Sequence, residues 1–415
     1  MRLGGALREL CAAVAAYDHE RAGELVAAGA DPDLALPDGT TPLLRAVEGG
    51  SPAVVKALLG EDAGTRLPEA ERARLLAAAR RWSEAGAEAE LRRLTGARGP
   101  VEVRAVEEEW TDIEEFTLGG STVRDGHAGV LTALERAFGI AAPLGELIDR
   151  AARYPDVCHA VWAESRAAVM VGPLVRSWQE VLAFRTHPSP GHRRFVVDYL
   201  GSRTWCVNAG SDSYEEECRV LLAWVAGEPD AGVLAALLDV FAGEVDLDTE
   251  AAALPHAGHQ DPRVRREVPY CLHRLGFPLT TVSRTALHVL AGDPDAGTRC
   301  AAAGTLGHAR ESTTATREVL LGLLGDPEHA VRLATAGALA AWPHHRAEEV
   351  ERALVSLLDE EDQLLRLEGA YGLARRDDPR TPEAYERVGP LGPEFEHDTR
   401  ADELWRWKLR QRPSG

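Results

Sequence analysis

The stretch GDPEHAVRLATAGALAAW, residues 325–342, sets an Asp-Pro turn before a Val-Arg pair and a run of small residues at helical spacing. The same frame returns along the chain. Asp261-Pro262 leads to Val264-Arg265, Asp293-Pro294 to Thr298-Arg299, Asp326-Pro327 to Val331-Arg332, and Asp359 to Leu365-Arg366. The Asp positions step by 32, 33 and 33 residues. Working backwards, Glu228-Pro229 lies 33 residues before Asp261, and HPSPGHRRFVVDYL and YPDVCHAVW give two weaker beats at Pro188 and Pro155. A fixed period of this length marks a stacked array, in which each unit contacts chiefly its neighbours.

The frame resembles bacterial HEAT-like repeats, in which a helix, an Asp-Pro turn and a second helix opening on Val-Arg form each unit. The resemblance is good from about 255 to 380 and loose from 127 to 254. It implies an all-α fold, an α-solenoid over residues 127–390 whose concave face is lined by the second helices. Arg265, Arg299, Arg332 and Arg366 then sit in the first turn of those helices, where the helix dipole disfavours a cation. An ion pair with the turn acid of the same or an adjacent repeat resolves the conflict, which makes these arginines a structural ladder; a ligand surface is the competing reading.

Offsets of two and six from the motif's Val point across the stack rather than into it. They select Arg194 and Asp198, Arg266 and Tyr270, and Tyr371, with His273 one turn beyond Tyr270. Arg and Tyr together are typical of interface hot spots, so these are candidate partner-binding residues, against the plainer alternative of solvated decoration. GSRTWCVNAGSDSYEEEC, residues 201–218, breaks the rhythm and reads as an inserted loop with Trp205 and Tyr214 as anchors, or with Trp205 packed beneath it. The final segment, 391–415, contains an amphipathic helix with Leu404, Trp405 and Leu409 on or near one face, read as a cap on the exposed end of the core.

A second array precedes the first. In DGTTPLLRAVEGGSPAVVKALLG, residues 38–60, Asp38-Gly39 makes a turn, Thr41 caps a helix, Pro42 opens it and Gly49-Gly50 ends it. The stretch resembles the ankyrin repeat, with flanking helices before it and a degenerate third unit after it. Residues 1–96 are therefore expected to be an ankyrin-like stack. Leu44 stands where that family usually has His, so the hydrogen bonds of that His must be absent or replaced. Between the arrays, residues 97–126 carry Glu107, Glu108, Glu109, Glu114 and Glu115. They read as an acidic linker with one short extended segment, VEVRAV, or as an acidic arm that docks on basic surface.

Hydrophobic residues make up 45% of the chain and aromatic residues 6%, so the core must be mostly Ala, Leu and Val. The formal charge of −20 repels polyphosphate and argues against a general nucleic-acid or anionic-membrane binder. The six cysteines fall in no metal-binding spacing, and neither a signal peptide nor an apolar run of about 18 residues is evident. No motif for a metal, a cofactor or a catalytic triad is found, and the usage of Ala, Gly and Arg suggests a GC-rich bacterium. The expectation is a cytoplasmic, monomeric, non-enzymatic scaffold that binds a protein or peptide. The runner-up is a HEAT-like DNA glycosylase, for which Asp198 with Arg193, Arg194 and Tyr199 gives a faint echo.

Overall fold

The computed structural model describes residues 4–60, 62–170, 178–204, 212–242, 246–273, 277–309, 313–341 and 347–410. They fall into two compact units, Met1–Cys206 and Val207–Gly415.

The first unit opens with three helical hairpins: Gly5–Ala15 with His19–Ala27, Pro42–Gly49 with Pro52–Leu59, and Glu69–Ala85 with Ala87–Thr95. Local chemistry sets their ends. Thr41 Oγ accepts from the Leu44 N–H at 3.1 Å, Ser51 Oγ accepts from Val54 N–H, and Pro42 and Pro52 each follow a cap. Leu10, Leu25, Leu43, Val47, Val54, Leu58, Leu75 and Ala79 form one core across all three hairpins. Leu44 is buried in it, so apolar packing fills its position. The third hairpin turns at Gly86, where φ is 83°, and its long helix runs past Trp82 to Ala85.

Residues 97–126 hold three antiparallel strands in the order β1-β2-β3: β1 Glu102–Glu108, β2 Thr111–Leu118 and β3 Ser121–Arg124. A two-residue turn, Glu109-Trp110, joins β1 to β2 with φ of 48° and 68°. Left-handed backbone at both positions is the hairpin geometry that Asn and Gly normally supply. The sheet is fastened to the helices by buried charge. The Glu108 carboxylate accepts from Ser51 Oγ and the Ala53 N–H at 2.7 Å each, at the positive end of the helix Pro52–Leu59, and from Arg124 Nη1 at 2.5 Å. Gly50, with φ of 78°, permits the approach, since a Cβ there would stand 2.0 Å from the Arg124 carbonyl oxygen.

Beyond the sheet the first unit continues with helices His127–Ala137, Leu144–Ala152, Ala160–Met170, Trp178–Leu182 and Pro190–Thr204. Arg150, 2% exposed, is held there by Glu135, Glu146 and Thr132.

The second unit is an α-solenoid in two layers. Helices Ala231–Val240, Pro262–Glu267, Ala296–His308, His329–Ala340, Gln363–Ala374 and Thr399–Arg410 pack each on the next. Helices Thr281–Leu290, Thr314–Leu323 and Glu348–Ser356 lie in the outer layer, each against the inner helix that follows it, and Asp212–Val225, Leu247–Ala253 and Thr381–Val388 are the unit's remaining described α-helices. Small residues bring the inner helices close. A Cβ on Gly307 would lie 2.4 Å from the Ala338 Cβ, whereas one on Gly304 would meet nothing within 4 Å. The last helix buries Leu404 and Trp407 and leaves Trp405 58% exposed, so its inward face is turned from the one expected. Arg400 ties it to Glu368 at 2.7 Å.

Candidate functional site

The arginine of each repeat has a mechanical task. Arg265 Nε and Nη2 donate to the Asp293 carboxylate at 2.7 and 2.8 Å, and Arg299 donates to Asp326 at 2.8 Å through both. Each therefore bridges to the turn of the next repeat. Nη1 reaches back to the carbonyl oxygens of its own turn, His259 and Gln260 for Arg265, Asp293 and Pro294 for Arg299. Arg193, Arg332 and Arg366 repeat that backward clamp. Among the described residues no carboxylate pairs with Arg332 or Arg366, and Asp359 pairs with Arg387 instead. Hydrogen bonding from Arg299 holds the Asp326 carboxyl below its ordinary pKa. Burial opposes ionisation of Asp293, yet Arg265 and the Asp295 N–H bring it below the ordinary value as well. The helix-dipole conflict is thus settled by two carbonyls at each guanidinium, joined by a carboxylate at Arg265 and Arg299.

Of the offset-two and offset-six residues, Arg266, Tyr270 and Tyr371 lie along the inner layer of the second unit, and Arg194 and Asp198 lie in the first. Arg266 Nε and Nη2 donate to Asp295, the N-cap of the next inner helix, at 2.7 and 2.6 Å. Its guanidinium lies over Gly297, where a Cβ would come within 2.5 Å of Nε. Tyr270 is 47% exposed, and its hydroxyl has no hydrogen bond among the described residues. Burial first, then the nearby Glu267 and Cys300, raise its pKa. His273 is half-buried with its ring 6.2 Å from that of His308, and burial with the neighbouring His308 lowers its pKa. His308 Nδ1 sits 2.7 Å from the Gly304 carbonyl oxygen. Arg266 and Tyr270 both lie near Cys300, and His308 lies near His273 and the carbonyl of Gly304, a residue whose added Cβ would meet nothing within 4 Å. Tyr371 lies on Gln363–Ala374, three inner helices beyond Pro262–Glu267, where Arg375 stands over its ring and donates to its hydroxyl at 2.9 Å.

In the first unit, Arg166 Nη1 donates to both oxygens of Asp198 at 2.9 Å. Burial raises the Asp198 pKa, against the pull of Arg166 and of Arg194 one turn earlier. Trp205 lies outside the described residues, as does the side chain of Tyr214. Sequence offsets missed His308, which falls ten residues after Thr298, and Trp110, which is 91% exposed at the tip of the β1–β2 turn. They also missed Arg376, a buried cation that donates to the Leu339, Ala340 and Gly372 carbonyls and whose pKa burial brings down to about 10.

The family model of HEAT repeats matches residues 250–340. This part of the chain is a HEAT-like solenoid. Among solved structures the chain is similar to the X-ray structure of YibA from Escherichia coli, at 13% identity and a TM-score of 0.43, over 66% of this chain and 98% of that one. No curated protein matches. Among the described residues, no helix is long and apolar enough to cross a membrane, and no group of three His, Cys, Asp or Glu is placed to hold a metal ion.

Proposed function

We propose that the chain is a non-enzymatic scaffold that holds a protein or peptide partner on the inner face of the second unit. Tyr270 carries this reading. It is a large side chain, half-exposed, with no hydrogen bond to its hydroxyl among the described residues, near Cys300 as Arg266 is, and on the layer that carries the His273–His308 pair. A Tyr that presents apolar area and a free hydroxyl at low entropic cost is a characteristic interface anchor. In the same reading residues 1–96 act as ankyrin-like repeats, residues 391–415 cap the array, and the protein works as a cytoplasmic monomer in a bacterium.

Arg266 also anchors Asp295, so charge reversal there would disturb folding and binding together. The cleaner variant is Tyr270→Ala with His308→Ala. In a tagged pull-down from the native host it should lose a stoichiometric protein that the unaltered chain retains, with the thermal midpoint within about 2 °C. Retention of that protein by the variant would remove this face from the binding site.

A further inference from the structure

The β1–β2 hairpin has the features of a docking finger, and they are independent of the second unit. Its two faces differ. On one, Glu108, Ile113 and Glu115 turn toward the helices and Arg124. On the other, the cross-strand pairs Val103–Phe116, Ala105–Glu114 and Glu107–Asp112 succeed one another, with Phe116 at the base packed against the cluster of Trp82, Leu91, Leu118 and Val123. Val103, Ala105, Glu107, Asp112 and Glu114 are all exposed there. No cation pairs with Glu107, Asp112 or Glu114 among the described residues. The nearest hairpin cation, Arg104, belongs to the opposite face and pairs with Glu115 at 2.8 Å.

Two further observations add to this face. β1 is an edge strand, bonded to β2 on one side alone. Because a two-residue turn makes Glu108 and Thr111 a hydrogen-bonded pair, Val103, Ala105 and Glu107 turn their N–H and C=O groups to the open edge. At the tip, Trp110 is 91% exposed on left-handed backbone, a position where an indole contributes nothing to the core. The tip is nevertheless fixed, since Lys56 bonds Glu109 at 2.6 Å and buried Glu164 at 2.8 Å.

We propose that β1 receives an extended, arginine- or lysine-bearing segment of a partner protein as an added strand. Main-chain bonds to Val103, Ala105 and Glu107 would set its register. Its basic side chains would meet Glu107, Asp112 and Glu114, and one cation would stack on the Trp110 indole. Charge decides against a second copy of this chain, because pairing two such edges brings like charges together on a molecule of formal charge −20.

The test is fluorescence anisotropy with the full chain and two labelled hexapeptides, one alternating Arg and Val and one alternating Glu and Val. The Arg peptide should bind at least about tenfold more tightly, and more weakly as salt rises. Ala105→Pro, which removes an outward N–H of an edge strand, and Trp110→Gly should each weaken it about tenfold. Trp110→Gly should also hold or raise the thermal midpoint, since Gly relieves the left-handed turn. Tyr270→Ala should leave peptide binding unchanged, which separates this site from the inner face of the second unit. Equal affinity for both peptides, absence of binding, or an unaffected Trp110→Gly variant overturns the proposal. Self-association in sedimentation velocity that Ala105→Pro abolishes would assign the edge to a second copy and overturn it too. If Ala105→Pro fails to fold, Trp110→Gly alone decides.

Discussion

Arg299 and Arg332 occupy the same place in successive repeats, yet of the two only Arg299 has a carboxylate partner among the described residues, so the pair measures what a rung is worth. Arg299→Met removes two charge-assisted bonds to Asp326 and two bonds to its own turn carbonyls. It leaves the Asp326 carboxylate, 7% exposed, without its main partner. Breaking a buried pair costs about 3–5 kcal/mol, and the lower end applies here because the charge of Arg332 still favours the Asp326 anion. Arg332→Met removes the carbonyl clamp and a more distant charge that favours the Asp326 anion, together worth about 1 kcal/mol. For a unit of this size the two variants should lower the thermal midpoint by about 9 °C and about 3 °C. Calorimetry gives the midpoints, and hydrogen exchange over residues 296–340 places the loss in the second unit. Adding Asp326→Asn to Arg299→Met should recover about 2 kcal/mol as coupling. The cost of Arg299→Met should also depend on pH. Asp326 has a lowered folded pKa, so the rung contributes fully above the unfolded value near 3.9 and is lost as pH falls below it. Equal costs for Arg299→Met and Arg332→Met, or additivity with Asp326→Asn, would refute the ladder.

Two glycines one turn apart should respond with opposite signs. Gly307→Ala drives a methyl into Ala338 and should cost about 2 kcal/mol, while Gly304→Ala meets open space and should gain about 0.5–1 kcal/mol by helix propensity, both read by urea denaturation. His127 is fully enclosed, stacked on Trp82 at 4.5 Å, and burial pulls its pKa down to about 4 despite a bond to the Glu48 carbonyl. A His with a depressed folded pKa withdraws stability as pH falls from the unfolded value near 6.5 toward 4, here by about 3 kcal/mol. His127→Gln should flatten that part of the melting profile of the first unit; an unchanged slope would show that the imidazole is not kept neutral.

The period of the second unit was legible because its recurring residues have physical duties. Asp293 and Asp326 accept the bridges from Arg265 and Arg299, and such duties fix residue type at fixed spacing; Asp261 instead caps its helix, the place that Asp295 holds in the next repeat. The offsets also set Arg266 and Tyr270 near one residue, Cys300, although the α-helix gives way to a 3-10 turn at Val268 and ends before His273. The sheet was half legible. Alternation in VEVRAV pointed to an extended segment, but the turn Glu109-Trp110 lacks the Asn or Gly that announces a tight hairpin. Glu108 added to the concealment. A carboxylate beside two others in sequence reads as solvated, and its burial depends on Ser51, Ala53 and Arg124, the nearest of them 16 residues away. The exposure of Trp110 follows from that same turn, so composition alone could not reveal it.

Each bridging arginine points forward, from its own repeat to the turn of the next, and donor and acceptor keep the same place in each bridged unit. A whole repeat could therefore be duplicated or deleted within the bridged stretch and every junction would find its partner again. Loss of part of a repeat would instead strand a carboxylate or a guanidinium at the seam. Array length in such a protein is free to change during descent, but in steps of one repeat.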